Sequence, residues 1–226
     1  MLGKGATRKL PYLVVLLSSI VLFAQTCPLW SAESRRVATV PALGVLSDGQ
    51  TGIVHYIVLE IDKGPRKEGP TVQFNEISLG GGSMVSEDWK QGVTQAVAAA
   101  TKAVGEDGRD WVITIKNRSY NAITEGMSAS SAVAVGIVAA WRGDNVKPDV
   151  ALTGTILPSG RIDPVGGLPI KVDAAARGQF RTVLVPRGQL DTLDRDSAQP
   201  AARSNVTVIE VATLEEAYQL MTTTGR

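Results

Sequence analysis

From Arg36 onward the chain reads as short apolar runs separated by turn residues, with strand-like and helix-like periods alternating. Residues 36–46 (RVATVPALGVL) and 52–61 (GIVHYIVLEI) are rich in β-branched residues, and Ser-Asp-Gly at 47–49 divides them, so they predict two strands and a turn. After a polar stretch at 62–70, residues 71–78 (TVQFNEIS) alternate and predict a third strand. The glycines at 80–82 break it off. Ser86-Glu-Asp predicts a helix reaching about Val104, with Trp89, Val93, Ala96, Val97 and Ala100 on one face. Trp111–Ile115 predicts another strand. The run from Ser128 to about Trp141 is small and apolar all round, which predicts a buried helix. Val150–Ile156, a turn at Ser159-Gly160, a helix at about 168–177, strands at 182–185 and 206–211, and a helix at Leu214–Met221 complete the order. A loop rich in Asp, Arg and Pro separates the last two strands. No internal repeat, heptad pattern or low-complexity tract interrupts it, and the pattern predicts one mixed α/β domain over residues 33–226.

The first 32 residues follow a different pattern. Lys4, Arg8 and Lys9 precede the apolar run Leu13–Ala24, and no acid occurs before Glu33. An apolar core of about 7–15 residues behind a positive start suits an export signal, whereas a spanning helix needs about 20. Residues 1–32 are therefore expected to be a signal peptide, with cleavage after Ala24 or Ala32, or else an N-terminal membrane anchor. Both place the domain outside the cytoplasm, in the periplasm or medium or tethered to the membrane. Ala-Gln-Thr before Cys27 is a poor match to a lipidation site.

Composition then removes whole classes of function. Among 226 residues, 44% are hydrophobic and 20% charged, enough apolar mass for a core and too much for a disordered chain. One cysteine and one histidine, Cys27 and His55, exclude a disulfide scaffold and a structural zinc site. Taking the three leader cations from the 23 basic residues leaves 20 against 22 acids, a net charge of −2 for the domain. Nucleic-acid binding, which needs clustered basic charge, is not expected.

Two segments carry candidate chemistry. In Glu125-Gly-Met-Ser-Ala-Ser-Ser131, Ser128 is positioned as a helix N-cap, but a helix start also offers free amides to an oxyanion, so Ser128 doubles as a candidate nucleophile. By spacing alone Ser130 and Ser131 compete with it. In the second segment, Lys171 lies one turn into a helix among Leu168, Val172, Ala174 and Ala175. A helical lysine is ordinarily a solvated surface charge. On a buried face, desolvation lowers its pKa and makes it a base. His55, within Val54-His-Tyr-Ile, is expected to be structural.

Taken in order, Gly126-Met-Ser-Ala129, Pro148-Asp-Val-Ala-Leu-Thr-Gly154, Gly166-Gly-Leu-Pro-Ile-Lys171, Ala174-Ala-Ala-Arg-Gly178 and Thr182-Val-Leu-Val-Pro186 resemble the signature of the Lon proteolytic domain family of serine–lysine peptidases. The likeness is strong over about 110–190 and collinear but weaker from about 50 to 222. It implies a single Lon-type α/β domain, similar to a two-layer fold of ribosomal proteins, with Ser128 as nucleophile and Lys171 as general base. Ala129 follows the nucleophile in the motif. Thr153 falls where the family places a hydroxyl beside the lysine, and Glu125 where it often has an acid. Met127 stands where proline is common and Ser130 where glycine is common; Ser-Ala-Ser also resembles membrane-anchored archaeal relatives. The chain contains no GxxxxGK[ST] phosphate loop, so only the proteolytic half is implied, acting without ATP on peptides or unfolded proteins. No cofactor, metal or nucleic-acid partner is expected. The resemblance also implies rings of identical copies. A noncatalytic adaptor on the same fold is the competing expectation.

Overall fold

The computed structural model describes residues 35–65, 68–78, 84–119, 123–195 and 205–225; the expected leader at 1–32 lies outside them. Strands β1 (Arg36–Val45) and β2 (Gly52–Lys63) form an antiparallel hairpin running from Arg36 opposite Ile61 to Val45 opposite Gly52. Asp48 holds the intervening turn by accepting the amides of Gln50 and Thr51 and the Thr51 hydroxyl, a use that favours short acids in turns. The hairpin lies in a seven-stranded sheet with β3 (Thr71–Ser78), β4 (Trp111–Ser119), β5 (Val150–Leu152), β6 (Thr182–Pro186) and β7 (Thr207–Val211). Its order is β7-β6-β5-β1-β2-β4-β3. Strand β2 is antiparallel to both neighbours, and every other pair is parallel.

Alternation along the strands sorts side chains to two faces. Val40, Ala42, Ile57, Leu59, Ile61, Ile113 and Ile115 meet helices α1 (Glu87–Val104), α2 (Ser130–Arg142) and α5 (Leu214–Met221) in the larger core. Each fully buried Ile or Leu there is worth about 1.5–3 kcal/mol of apolar burial. Leu43, Ala151, Val183 and Val185 point the other way, against α3 (Leu168–Arg177) and the short α4 (Leu190–Arg195). This second helical layer covers the β1–β5–β6 region. Beyond it the face opens, with Val37 and Tyr56 about half exposed, so the β2–β4–β3 half is a two-layer packing.

Helix α2 approaches the sheet more closely than a side chain would permit. A Cβ on Gly136 would stand 2.1 Å from Leu59 Cδ1 and 2.8 Å from Val40 Cγ1. The other elements follow the apolar pattern, with three differences that bear on the site. The strand expected at 111–115 extends to Ser119. The strand expected over 150–156 ends at Leu152, after which Thr155–Ile156 pairs instead with Ile162–Asp163. The helix expected from Ser128 begins at Ser130.

Candidate active site

Ser128 is not a helix N-cap. The cap position of α2 is Ala129, which makes no side-chain capping bond, and Ser128 sits on the turn before it. Gly126 makes that turn possible, because its φ of 83° lies in the left-handed region that favours glycine. The turn is then fixed from below. The Ser128 carbonyl accepts the Gly154 amide at 2.8 Å and the Thr153 hydroxyl at 3.2 Å. Ser131 returns a bond from its amide to the Gly154 carbonyl at 3.1 Å. The early end of β5 thus has a use, since Thr153 and Gly154 leave the sheet to brace the serine loop.

Lys171 reaches the same point from the opposite layer. Helix α3 starts after Gly167, whose φ of 65° is again left-handed, and the Lys171 amide closes the first turn on the Gly167 carbonyl. Its Nζ stands 2.8 Å from Ser128 Oγ and 3.4 Å from Thr153 Oγ1. The residue is only 4% exposed, and burial alone pushes its ammonium down to a pKa of about 8. The Thr153 hydroxyl already donates to the Ser128 carbonyl, so its oxygen is left to accept an N–H of Lys171. A neutral amine held that way presents its lone pair to Ser128 Oγ.

The competing serines have other uses. Ser130 is fully buried and its Oγ accepts the Ile156 amide at 2.9 Å, tying α2 to the Thr155–Ile156 strand. Ser131 is fully buried too, and its Oγ has no hydrogen-bond partner. The amides of Ser130 and Ser131 are engaged by the carbonyls of Met127 and Gly154, so the helix start is not a set of free donors as the sequence predicts. Among the described residues the Ser128 and Ala129 amides are not drawn into these bonds.

Ser128 and Lys171 open on a cleft of about 560 Å3. Ala129 and Glu125 border it, and Glu125 is exposed. Sequence reasoning did not find its walls, which include Leu43, Val45, Trp89, Met127 and Ile170. These come from separate segments and carry no shared spacing. His55 is another wall residue, and its Nδ1 is 2.9 Å from the Asn117 side-chain oxygen. Burial is the main cause holding the imidazole below its ordinary pKa; the Asn117 bond raises it and the Lys171 charge lowers it further. Among the described residues, no group of three or more His, Cys, Asp and Glu side chains could hold a metal, and no helix is long and apolar enough to cross a membrane.

The family model of the Lon protease (S16) C-terminal proteolytic domain matches residues 110–223, which include the serine turn, Thr153 and α3. The Lon protease of Chloroflexus aurantiacus is 38% identical over 96 residues, 42% of this chain and 11% of that protein. The archaeal Lon protease of Methanothermobacter thermautotrophicus is 30% identical over 162 residues, 71% of this chain and 24% of that protein. That of Archaeoglobus fulgidus is 25% identical over 198 residues, 88% of this chain and 30% of that protein. The chain therefore spans less than a third of the length of each of these relatives. Its match to the family model extends over half of its residues and holds both segments of the cleft, and the chain belongs to the Lon protease C-terminal proteolytic domain family.

Proposed function

We propose that the chain is a serine peptidase in which Ser128 is the nucleophile and Lys171 its general base, cleaving peptides or unfolded proteins without ATP. The observation that carries this reading is a buried amine, with its pKa lowered to about 8, standing 2.8 Å from a hydroxyl at the wall of a cleft. Neutral Lys171 takes the Ser128 proton as Oγ attacks the scissile carbonyl carbon. The tetrahedral oxyanion is stabilised by the amides of Ser128 and Ala129. Lys171 then returns the proton to the leaving amine as the C–N bond breaks. Water, deprotonated by the same amine, cleaves the acyl ester and restores Ser128. Thr153 aims the amine, and Glu125 supplies negative charge at the cleft mouth.

Independence from ATP rests on the lack of a phosphate loop in these 226 residues, and a place outside the cytoplasm on the charge and apolar pattern of residues 1–32. Ring assembly rests on the family likeness. The testing experiment is mass spectrometry of the purified protein after exposure to a serine-reactive phosphonate. An adduct on Ser128, absent in Lys171→Met, is expected. A folded protein that cleaves no peptide and takes no adduct would instead be the noncatalytic adaptor.

A further inference from the structure

His55 is the chain's one histidine, and it is not consumed by the packing of the core. It lies on β2 two residues from Ile57, which pairs with Asn117 on β4, so sheet geometry brings the two polar side chains to the same face. Asn117 is 2% exposed, and its side-chain oxygen can only accept, so the proton of the 2.9 Å contact belongs to His55 Nδ1. Burial keeps the ring neutral, with the Lys171 charge acting in the same direction. A neutral imidazole with its proton on Nδ1 carries a bare acceptor lone pair on Nε2. Among the described residues no group pairs with it.

The neighbouring strand leaves room beside that nitrogen. A Cβ on Gly44 would stand 3.9 Å from His55 Nε2 and 3.3 Å from Ile53 Cγ1, and Gly44 and His55 both border the cleft that holds Ser128 and Lys171. Gly44 has no left-handed φ to require glycine; what its missing side chain provides is space. The cleft has polar as well as apolar lining, Ser128, Thr155 and Lys171 beside Val45 and Ile170, and the Nε2 lone pair is an acceptor at the recess beside Gly44. Filling the recess with an apolar group would strip the acceptor of water and leave it unpaired, whereas a donor would satisfy it.

We infer that His55 is a specificity-determining residue, its Nε2 accepting a hydrogen bond from an N–H or O–H donor on the substrate side chain that enters the space beside Gly44. This rests on the peptidase reading above and deepens it. Substrates are then peptides with a neutral donor-bearing residue, such as asparagine or threonine, at one position near the scissile bond.

Two measurements decide it. Peptide pairs differing only as Asn against Leu, or Thr against Val, at each position around the scissile bond are compared by kcat/KM. At one position the wild type should favour the donor over its apolar counterpart about tenfold more than His55→Leu does. Gly44→Ala, which keeps His55 and fills the space, should lose the preference as well. An Asn/Leu ratio unchanged in both variants overturns the inference. In Ser128→Ala, nitrogen NMR of the single imidazole should place the proton on Nδ1 and show Nε2 move when the asparagine peptide binds but not when the leucine peptide binds. A proton on Nε2, or no response to saturating asparagine peptide, overturns it independently of turnover. Failure of the phosphonate to modify Ser128 would instead mark failure of the peptidase reading.

Discussion

A lysine amine that is 4% exposed, and that no carboxylate pairs with among the described residues, is held against its own solvation. The same burial that lowers the Lys171 pKa destabilises the fold. Its folded pKa of about 8 lies below the ordinary 10.5, so between those values the unfolded chain holds a proton that the folded chain has lost. Stability therefore rises with pH from about 8 to 10.5, and the full penalty, about 3 kcal/mol, is present below 8. Lys171→Met should abolish peptide cleavage yet unfold at higher denaturant at pH 7, by about 2 kcal/mol after roughly 1 kcal/mol is lost from its hydrogen bonds. That advantage should vanish just below pH 10 and turn into a deficit of about 0.5 kcal/mol by pH 10.5, and equilibrium denaturation at pH 7 and 10.5 checks it. Turnover by the wild type should climb about tenfold per pH unit below 8 and level off above it. Lys171→Arg should fail at every usable pH, because guanidinium stays protonated. Thr153→Val, which keeps shape and removes the hydroxyl, should lower kcat about tenfold or more with little change in KM.

At the scale of elements, Lys171 meets Ser128 because two helices on opposite faces of the sheet start at one end of it. Glycines set their distances. A Cβ on Gly52 of β2 would lie 2.3 Å from the Ile170 carbonyl oxygen, a backbone atom next to Lys171. Gly52→Ala should displace the start of α3, destabilising the protein by about 1–3 kcal/mol and reducing Ser128 labelling by the phosphonate in the fraction that stays folded. Gly92 of α1 is gentler, since a Cβ would stand 3.3 Å from both Met127 Cα and Ser130 Cβ. Gly92→Ala should keep nearly wild-type stability while lowering kcat, because the neighbour that must yield is the serine loop. Unfolding midpoints measured beside kcat separate the two effects.

For the whole molecule, the described domain offers one cleft of about 560 Å3 that holds Ser128 and Lys171. The purified chain is expected to cut short or unfolded polypeptides at the same rate with and without ATP, and to leave tightly folded proteins largely intact. Stimulation by ATP hydrolysis in that single-component assay would overturn the expectation. Cell fractionation with sequencing of the mature N-terminus should find the protein outside the cytoplasm. A full-length cytoplasmic form beginning at Met1 would contradict the leader assigned to residues 1–32.

Much of this was legible before any tertiary structure. Apolar periodicity located every strand of the large sheet and its long helices, because backbone geometry imposes periods of 2 and 3.6 that burial then writes into the chain. The family was legible from five ordered motifs, including Gly126–Ala129 and Gly166–Lys171. Spacing could not say which of Ser128, Ser130 and Ser131 stands free, since all three begin the same apolar run. That was decided by packing, which turned Ser130 toward the Ile156 amide and buried Ser131 under Gly154. Nor could it say which face of α3 carries Lys171, or that His55 and Asn117, 62 residues apart, meet. Burial and long-range pairing are properties of the folded sheet rather than of any window of sequence. The lowered pKa of the lysine comes from burial and the acceptor beside Gly44 from strand pairing, so both exist only once separate segments have come together.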